Sequence, residues 1–268
     1  MASDPRPIGV FDSGLGGLTV ARALLDLVPG IPLVYFGDTG RFPYGPKPGA
    51  VVRVYACEIA DLLMARGVQM IVVACNSATA AALEDLRARV DVPVVGVIEP
   101  GVRAARQATK NGRVGVIGTV GTISSGAYQR VAADVAPEVE VVCAACPGFV
   151  EFVEAGDVDS DQVHVLAERL LAPVVAAKVD TLVLGCTHYP LLARTISDVM
   201  GPDVVLVSSA DETAFEVRRE LNATTGADAM SRAATPMFMT SGEVDTFRTL
   251  GARFLGPEVE HVEAWSWS

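Results

Sequence analysis

Eight short, almost continuously apolar runs recur along this 268-residue chain, alternating with stretches of helical periodicity. Nothing else in the sequence narrows the fold as much. The runs are 8–11, 32–36, 69–74, 93–97, 113–117, 139–144, 181–185 and 203–207. Helical patterns fall at 17–28, 50–66, 77–90, 122–134, 160–178, 190–200 and 210–222. A strand with one face in water alternates apolar and polar residues, whereas a strand covered on both faces reads as an unbroken apolar run. Strand–helix–strand units joined by right-handed crossovers build parallel sheets with helices on both faces. The expected fold class is therefore α/β, with doubly wound parallel sheets. The chain is long enough for one large core or two of ordinary size.

Internal similarity favours two. "IGVFDSGLGG" opens one half and "VGVIGTVGTISSG" the other, and "IVVACNSAT" (71–79) has a counterpart in "LVLGCTHYP" (182–190). The expectation is two similar lobes related by a pseudo-twofold axis. The first would comprise residues 1–97 plus 208–268, because the closing segment has no equivalent in the second half. The second would comprise 98–207, with the active site in the cleft between them.

In open parallel sheets ligands bind beyond the carboxyl ends of the strands. Reactive and polar residues gather there in this sequence. Asp12 and Ser13 follow the first run, Asp38 the second, and Cys75, Asn76 and Ser77 the third. In the other half stand Thr119 and Thr122, then Cys146 and Glu154, then Cys186, Thr187 and His188. Three chemistries could use such a set. Dinucleotide binding would draw on "DSGLGGLT" with Asp38 as the ribose acid, but Thr19 stands where the third glycine belongs. Metal or dithiol redox chemistry would draw on Cys143-Ala-Ala-Cys146. That pair stands alone, however, and the histidines at 164, 188 and 261 are dispersed, so no metal site is expected. Paired acid–base catalysis would use Cys75 and Cys186, which hold equivalent places before two helix starts, where a thiol gains thiolate character. Two thiols facing one carbon could invert it, one removing a proton and the other delivering one. Asp12 would then lie near Cys75, while His188 and Glu154 would assist Cys186. The alternative is that both are small buried hydrophobes.

Composition limits the partners. Net charge is −11 and no basic stripe is visible, which argues against direct nucleic-acid binding. No apolar run approaches a membrane span, and the first residues lack a basic-then-apolar signal, so the expected location is cytoplasmic. An odd cysteine count, five, speaks against a disulfide framework. A pyridoxal enzyme needs a Schiff-base lysine, and none of Lys47, Lys110 and Lys178 falls at a strand end beside a phosphate-cradling loop, so no cofactor is expected.

The motifs "IGVFDSGLGGLTV", "YFGDTGRFPYGPK", "ACNSATA", "ACPGFV" and "LGCTHYPLL", in this order, resemble the glutamate racemase family of the aspartate/glutamate racemase superfamily. The resemblance runs from about residue 7 to the "FMTSGEVDTFRTLGARFLG" segment. It implies cofactor-independent interconversion of L- and D-glutamate, D-glutamate supply for peptidoglycan and hence cell shape, and a homodimer. It also implies that Cys75 and Cys186 are the two bases, Cys75 for the D-isomer and Cys186 for the L-isomer, with Asp12, Glu154 and His188 assisting. Substrate contacts would come from Asp12, Ser13, Tyr44, Gly45, Asn76, Ser77, Thr187 and His188. Thr119 and Thr122 join them by their place at a strand end. Gly40 stands where alanine is usual in the family, which should loosen its loop. Ser77 stands where threonine is more common and keeps the hydroxyl. Some relatives bind DNA gyrase, but no segment here identifies such an interface. The nearest rival readings are an aspartate racemase and a non-catalytic two-lobe binder of small anions.

Overall fold

The computed structural model describes residues 6–225 and 235–267. The chain divides into two compact units, Met1–Val97 with Ala210–Ser268, and Ile98–Ser209. Every strand pairing in both is parallel.

In the larger unit, numbering in chain order, β1 (Ile8–Asp12), β2 (Leu33–Gly37), β3 (Met70–Val73) and β4 (Val94–Gly96) join two later strands, β9 (Met237–Thr240) and β10 (Val262–Ala264). The order is β10-β9-β2-β1-β3-β4. The unbroken apolar runs arise because each sheet face has its own helix layer. Ile8, Val10, Tyr35 and Val72 belong to a core shared with α1 (Leu18–Leu27), α10 (Ser209–Thr225) and α11 (Val244–Leu255). Phe11, Phe36, Ile71 and Val73 belong to a second core shared with α2 (Gly49–Ala65) and α3 (Asn76–Arg89). Successive residues point to opposite faces, so both sets must be apolar.

The smaller unit holds β5 (Arg113–Gly118), β6 (Glu140–Ala145), β7 (Thr181–Gly185) and β8 (Val205–Ser208), in the order β6-β5-β7-β8. On this sheet α4 (Ile98–Ala108) packs against β7, β8 and α6 (Ala127–Val135). The helix α8 (Asp161–Ala176) packs against β5, β6 and α9 (Ala193–Met200). The order repeats that of β2-β1-β3-β4. In each sheet the first strand is central, with the second strand on one side and the third on the other. The switch point of each sheet is therefore the crevice between its first and third strands.

Departures from the expected elements have local causes. The single helix expected over 122–134 is two, α5 (Val120–Ser124) and α6, because Gly126 takes a left-handed φ of 68° between them. The helix α4 was not anticipated, since Pro100 and Gly101 read as a break. Proline is tolerated in a first turn, where its missing N–H has no intrahelical partner. Also unanticipated were α7 (Phe149–Ala155), β9, β10 and α11. Among the described residues no helix is long and apolar enough to cross a membrane.

Candidate active site

At the carboxyl edge of the larger sheet, Asp12 ends β1 fully buried, and its Oδ2 accepts the Gly14 N–H at 2.9 Å. Beside it, Ala74 N–H extends the ladder to Phe11 O at 2.9 Å, and Cys75 follows as the N-cap of α3. The Cys75 Sγ accepts the Ala78 N–H at 3.4 Å, so the thiol caps a helix start, an arrangement that favours thiolate. Ser13 beside Asp12, and Asn76 and Ser77 beside Cys75, are buried, as is Gly45 in the loop after β2. Burial drives the Tyr35 phenol well above its ordinary range, with the charges of Asp12 and Cys75 adding to it. Its hydroxyl donates to Gly14 O at 2.9 Å. Tyr35 thus lies within electrostatic reach of both Asp12 and Cys75, a role invisible in sequence because it reads as one more apolar strand residue.

The glycines of "DSGLGG" serve close approach. A Cβ on Gly17 would lie 2.5 Å from the Asp12 Cβ and 2.9 Å from the Tyr35 hydroxyl. Asp38 does not offer itself to a ribose. Its buried carboxylate accepts from Arg41 Nε at 2.7 Å, Ser241 Oγ at 2.6 Å, Trp267 Nε1 at 3.0 Å and the Tyr44 hydroxyl. The Tyr44 phenol is pushed far up by burial and then by Asp38, and its hydroxyl is committed there. Gly40 does not loosen the loop as expected. Its N–H donates to Ser241 Oγ at 3.0 Å, and an added Cβ would meet the Ser241 carbonyl at 2.5 Å, so the alanine methyl's space is taken.

The smaller unit presents its own set at the same edge. Thr119 caps α5 after β5, accepting the Thr122 N–H at 3.3 Å, and the two hydroxyls lie 3.0 Å apart. Cys186 follows β7 and is buried with Thr187 and His188. The His188 Nδ1 stands 4.0 Å from the Cys186 Sγ, and its Nε2 stands 3.2 Å from Glu154 Oε1. Glu154 comes from α7, which starts after the left-handed Gly148 and packs against the 3₁₀ turn Tyr189–Leu192, with Phe149 and Tyr189 edge to face at 5.4 Å. This is a carboxylate–imidazole–thiol relay. One ring nitrogen faces the carboxylate and the other faces the sulfur. Tyr128 and Tyr189 also surround Cys186. Burial, then nearby cysteines including Cys186, raise both phenols.

Two other cysteines are of a different kind. Cys143 lies within β6 and Cys146 just past it, and burial pushes their thiols up to about 11 and about 12. Both stay protonated at neutral pH and are poor bases. Among the described residues no cluster of three His, Cys, Asp or Glu could hold a metal ion.

Residues 30–217 match the Asp/Glu/hydantoin racemase family. A glutamate racemase of Acidothermus cellulolyticus is 55% identical over 258 residues, covering 96% of this chain and 97% of that one. This chain belongs to the glutamate racemase family. Its two parallel sheets match solved members of that family closely. A Bacillus anthracis glutamate racemase isoform aligns with a TM-score of 0.90 at 38% identity, over 98% of this chain and 97% of that one. A Francisella tularensis glutamate racemase, solved with D-glutamate, aligns with a TM-score of 0.91 at 33% identity, over 98% of each chain. As a member of the family, the chain is an isomerase.

Proposed function

We propose that the chain interconverts L- and D-glutamate by two-thiol acid–base catalysis without a cofactor. The observation that carries this reading is the repetition of one strand order in two sheets, each with a cysteine just past the third strand at the switch point. In this mechanism one cysteine, as thiolate, takes the Cα proton. The electron pair left on carbon delocalises into the substrate carboxylate, and the opposite thiol gives its proton to the other face. The product leaves with the two thiols' protonation exchanged. Cys186 acts on the L-isomer with His188 and Glu154 in support, and Cys75 acts on the D-isomer beside Asp12.

Buried amides at the starts of the helices stabilise the charge that develops on the carboxylate. Ser13, Asn76, Ser77, Thr119, Thr122, Thr187 and the Tyr44–Gly45 main chain contact the substrate. Lys110 and Lys178 precede β5 and β7, at the opposite edge from Cys186, while Lys47 lies in the loop after β2. The chain works as a cytoplasmic homodimer supplying D-glutamate for the cell wall.

Incubation with L-glutamate in deuterated water, with no cofactor added, tests the reading. Deuterium should enter at Cα as the D-isomer accumulates, and aspartate should be a poor substrate. Either Cys75→Ala or Cys186→Ala should abolish racemisation of both isomers. Full turnover by the double variant would refute the mechanism.

A further inference from the structure

The segment after α11 takes no part in the mechanism above, yet it is bound to the loop that carries Tyr44. The strand β10 pairs with β9, and Trp265 N–H donates to Thr240 O at 2.7 Å. Trp267 then lies at the carboxyl end of β2. Its indole N–H donates to Asp38 Oδ1 at 3.0 Å, and its ring centroid is 3.8 Å from the Arg41 guanidinium carbon. Phe36 meets the same ring edge-on at 5.5 Å. Arg41 in turn holds Asp38 Oδ2 at 2.7 Å, the oxygen that also accepts the Tyr44 hydroxyl.

From this anchor the loop turns onto the catalytic edge. A Cβ on Gly14 would stand 3.0 Å from the Phe42 ring, so that ring rests on the turn whose N–H binds Asp12. Asp38 N–H itself donates to Asp12 O at 3.0 Å. Burial and Asp38, with a smaller contribution from Cys75, raise the Tyr44 phenol, which sets that ring within electrostatic reach of the thiol.

We propose that Trp267 is a positioning residue for the Cys75 half of the site. It fixes Asp38 and Arg41, and through them the 38–45 loop, so that Tyr44, Gly45 and the Asp12 turn are ordered before an amino acid binds. The inference rests on the functional reading above. It makes binding, more than proton transfer, the quantity that depends on Trp267, because its hydrogen bond and its stacking go to Asp38 and Arg41 of the loop.

The test is steady-state kinetics in both directions for Trp267→Ala, Trp267→Phe and, as control, Trp265→Phe. Trp267→Ala removes both the indole N–H bound to Asp38 and the ring stacked on Arg41. Trp267→Ala should therefore raise KM for both isomers about tenfold, with kcat within about threefold of wild type. Trp267→Phe keeps the stacking on Arg41 and loses the N–H, so it should fall between, while Trp265→Phe should leave KM unchanged. The chain has two tryptophans, both in this segment, so Trp265→Phe leaves Trp267 as the single tryptophan, excited selectively on the red side of tyrosine absorption. Its emission should change saturably with D-glutamate, with a midpoint near KM. A wild-type chain that does not racemise glutamate overturns the functional reading and this inference with it. A wild-type chain that does, alongside Trp267 variants of unchanged KM and a silent Trp267 emission, overturns this inference alone. If Trp267→Ala fails to fold, Trp267→Phe and the fluorescence titration decide.

Discussion

A thiol on carbon needs help that differs between the two sides, and the residues supply it unequally. Cys186 has an imidazole at 4.0 Å backed by a carboxylate, whereas Cys75 has a helix start, Asp12 and a buried phenol. This asymmetry has a kinetic signature. The equilibrium constant of a racemisation is one, so weakening either base must lower kcat/KM equally in both directions. His188→Asn should lower it by about 10²–10⁴, and Glu154→Gln should lower it less, since the ring stays. The direction shows instead in the primary deuterium isotope effect. With proton transfer at Cys186 slowed, the effect on Cα-deuterated L-glutamate should grow and that on the D-isomer shrink. Equal isotope effects in His188→Asn would remove His188 from the Cys186 side. The two cysteines stood out because a duplicated motif displays the thiol twice, with His188 two residues past the second copy. Tyr35 and the four-donor cage around Asp38 were not, because their meaning lies in partners far along the chain, up to Trp267.

Among the elements, the first eight strands were legible because helices cover both sheet faces and leave no polar positions to blur the pattern. The edges were less so. The burial pattern of β6 and β8 is broken, and β9 and β10 are short. The helix α11 hid behind Gly251, which is glycine for a packing reason: a Cβ there would stand 3.1 Å from Leu18 of α1. The start of α1 is tighter still. Gly17→Ala puts a methyl into Asp12, Tyr35 and Ala74 together, with backbone-borne atoms on two sides. Overpacking of this kind costs typically about 1–3 kcal/mol. The helix must also move off the end of β1, taking the Asp12 turn with it. Gly17→Ala should therefore lower the thermal midpoint and depress kcat/KM by more than its stability loss accounts for. A variant with a lowered midpoint and wild-type turnover would separate α1 packing from the site.

For the whole molecule, the buried thiols and phenols set an alkaline limit. Cys143 and Cys146 titrate near 11 and 12 in the fold, against about 9 when unfolded, and Tyr35, Tyr44, Tyr128 and Tyr189 are raised well above 10. In every case burial favours the neutral form. The unfolded chain therefore loses these protons first as pH rises. Their contribution is whole below pH 9 and drains away above it, until the folded groups titrate too. By linkage, at pH 10 each thiol has lost about 1 kcal/mol and each phenol roughly half that or less, on the order of 4 kcal/mol together. Against the 5–15 kcal/mol of an ordinary domain, that is a large share. The urea midpoint should accordingly fall steeply from pH 8 to pH 10 under reducing conditions. Cys143→Ala/Cys146→Ala should start lower because of the volume removed, yet lose about half as much over the same interval. Parallel declines in the two proteins would mean that these thiols titrate alike in the folded and unfolded chain, and that the alkaline limit has another source.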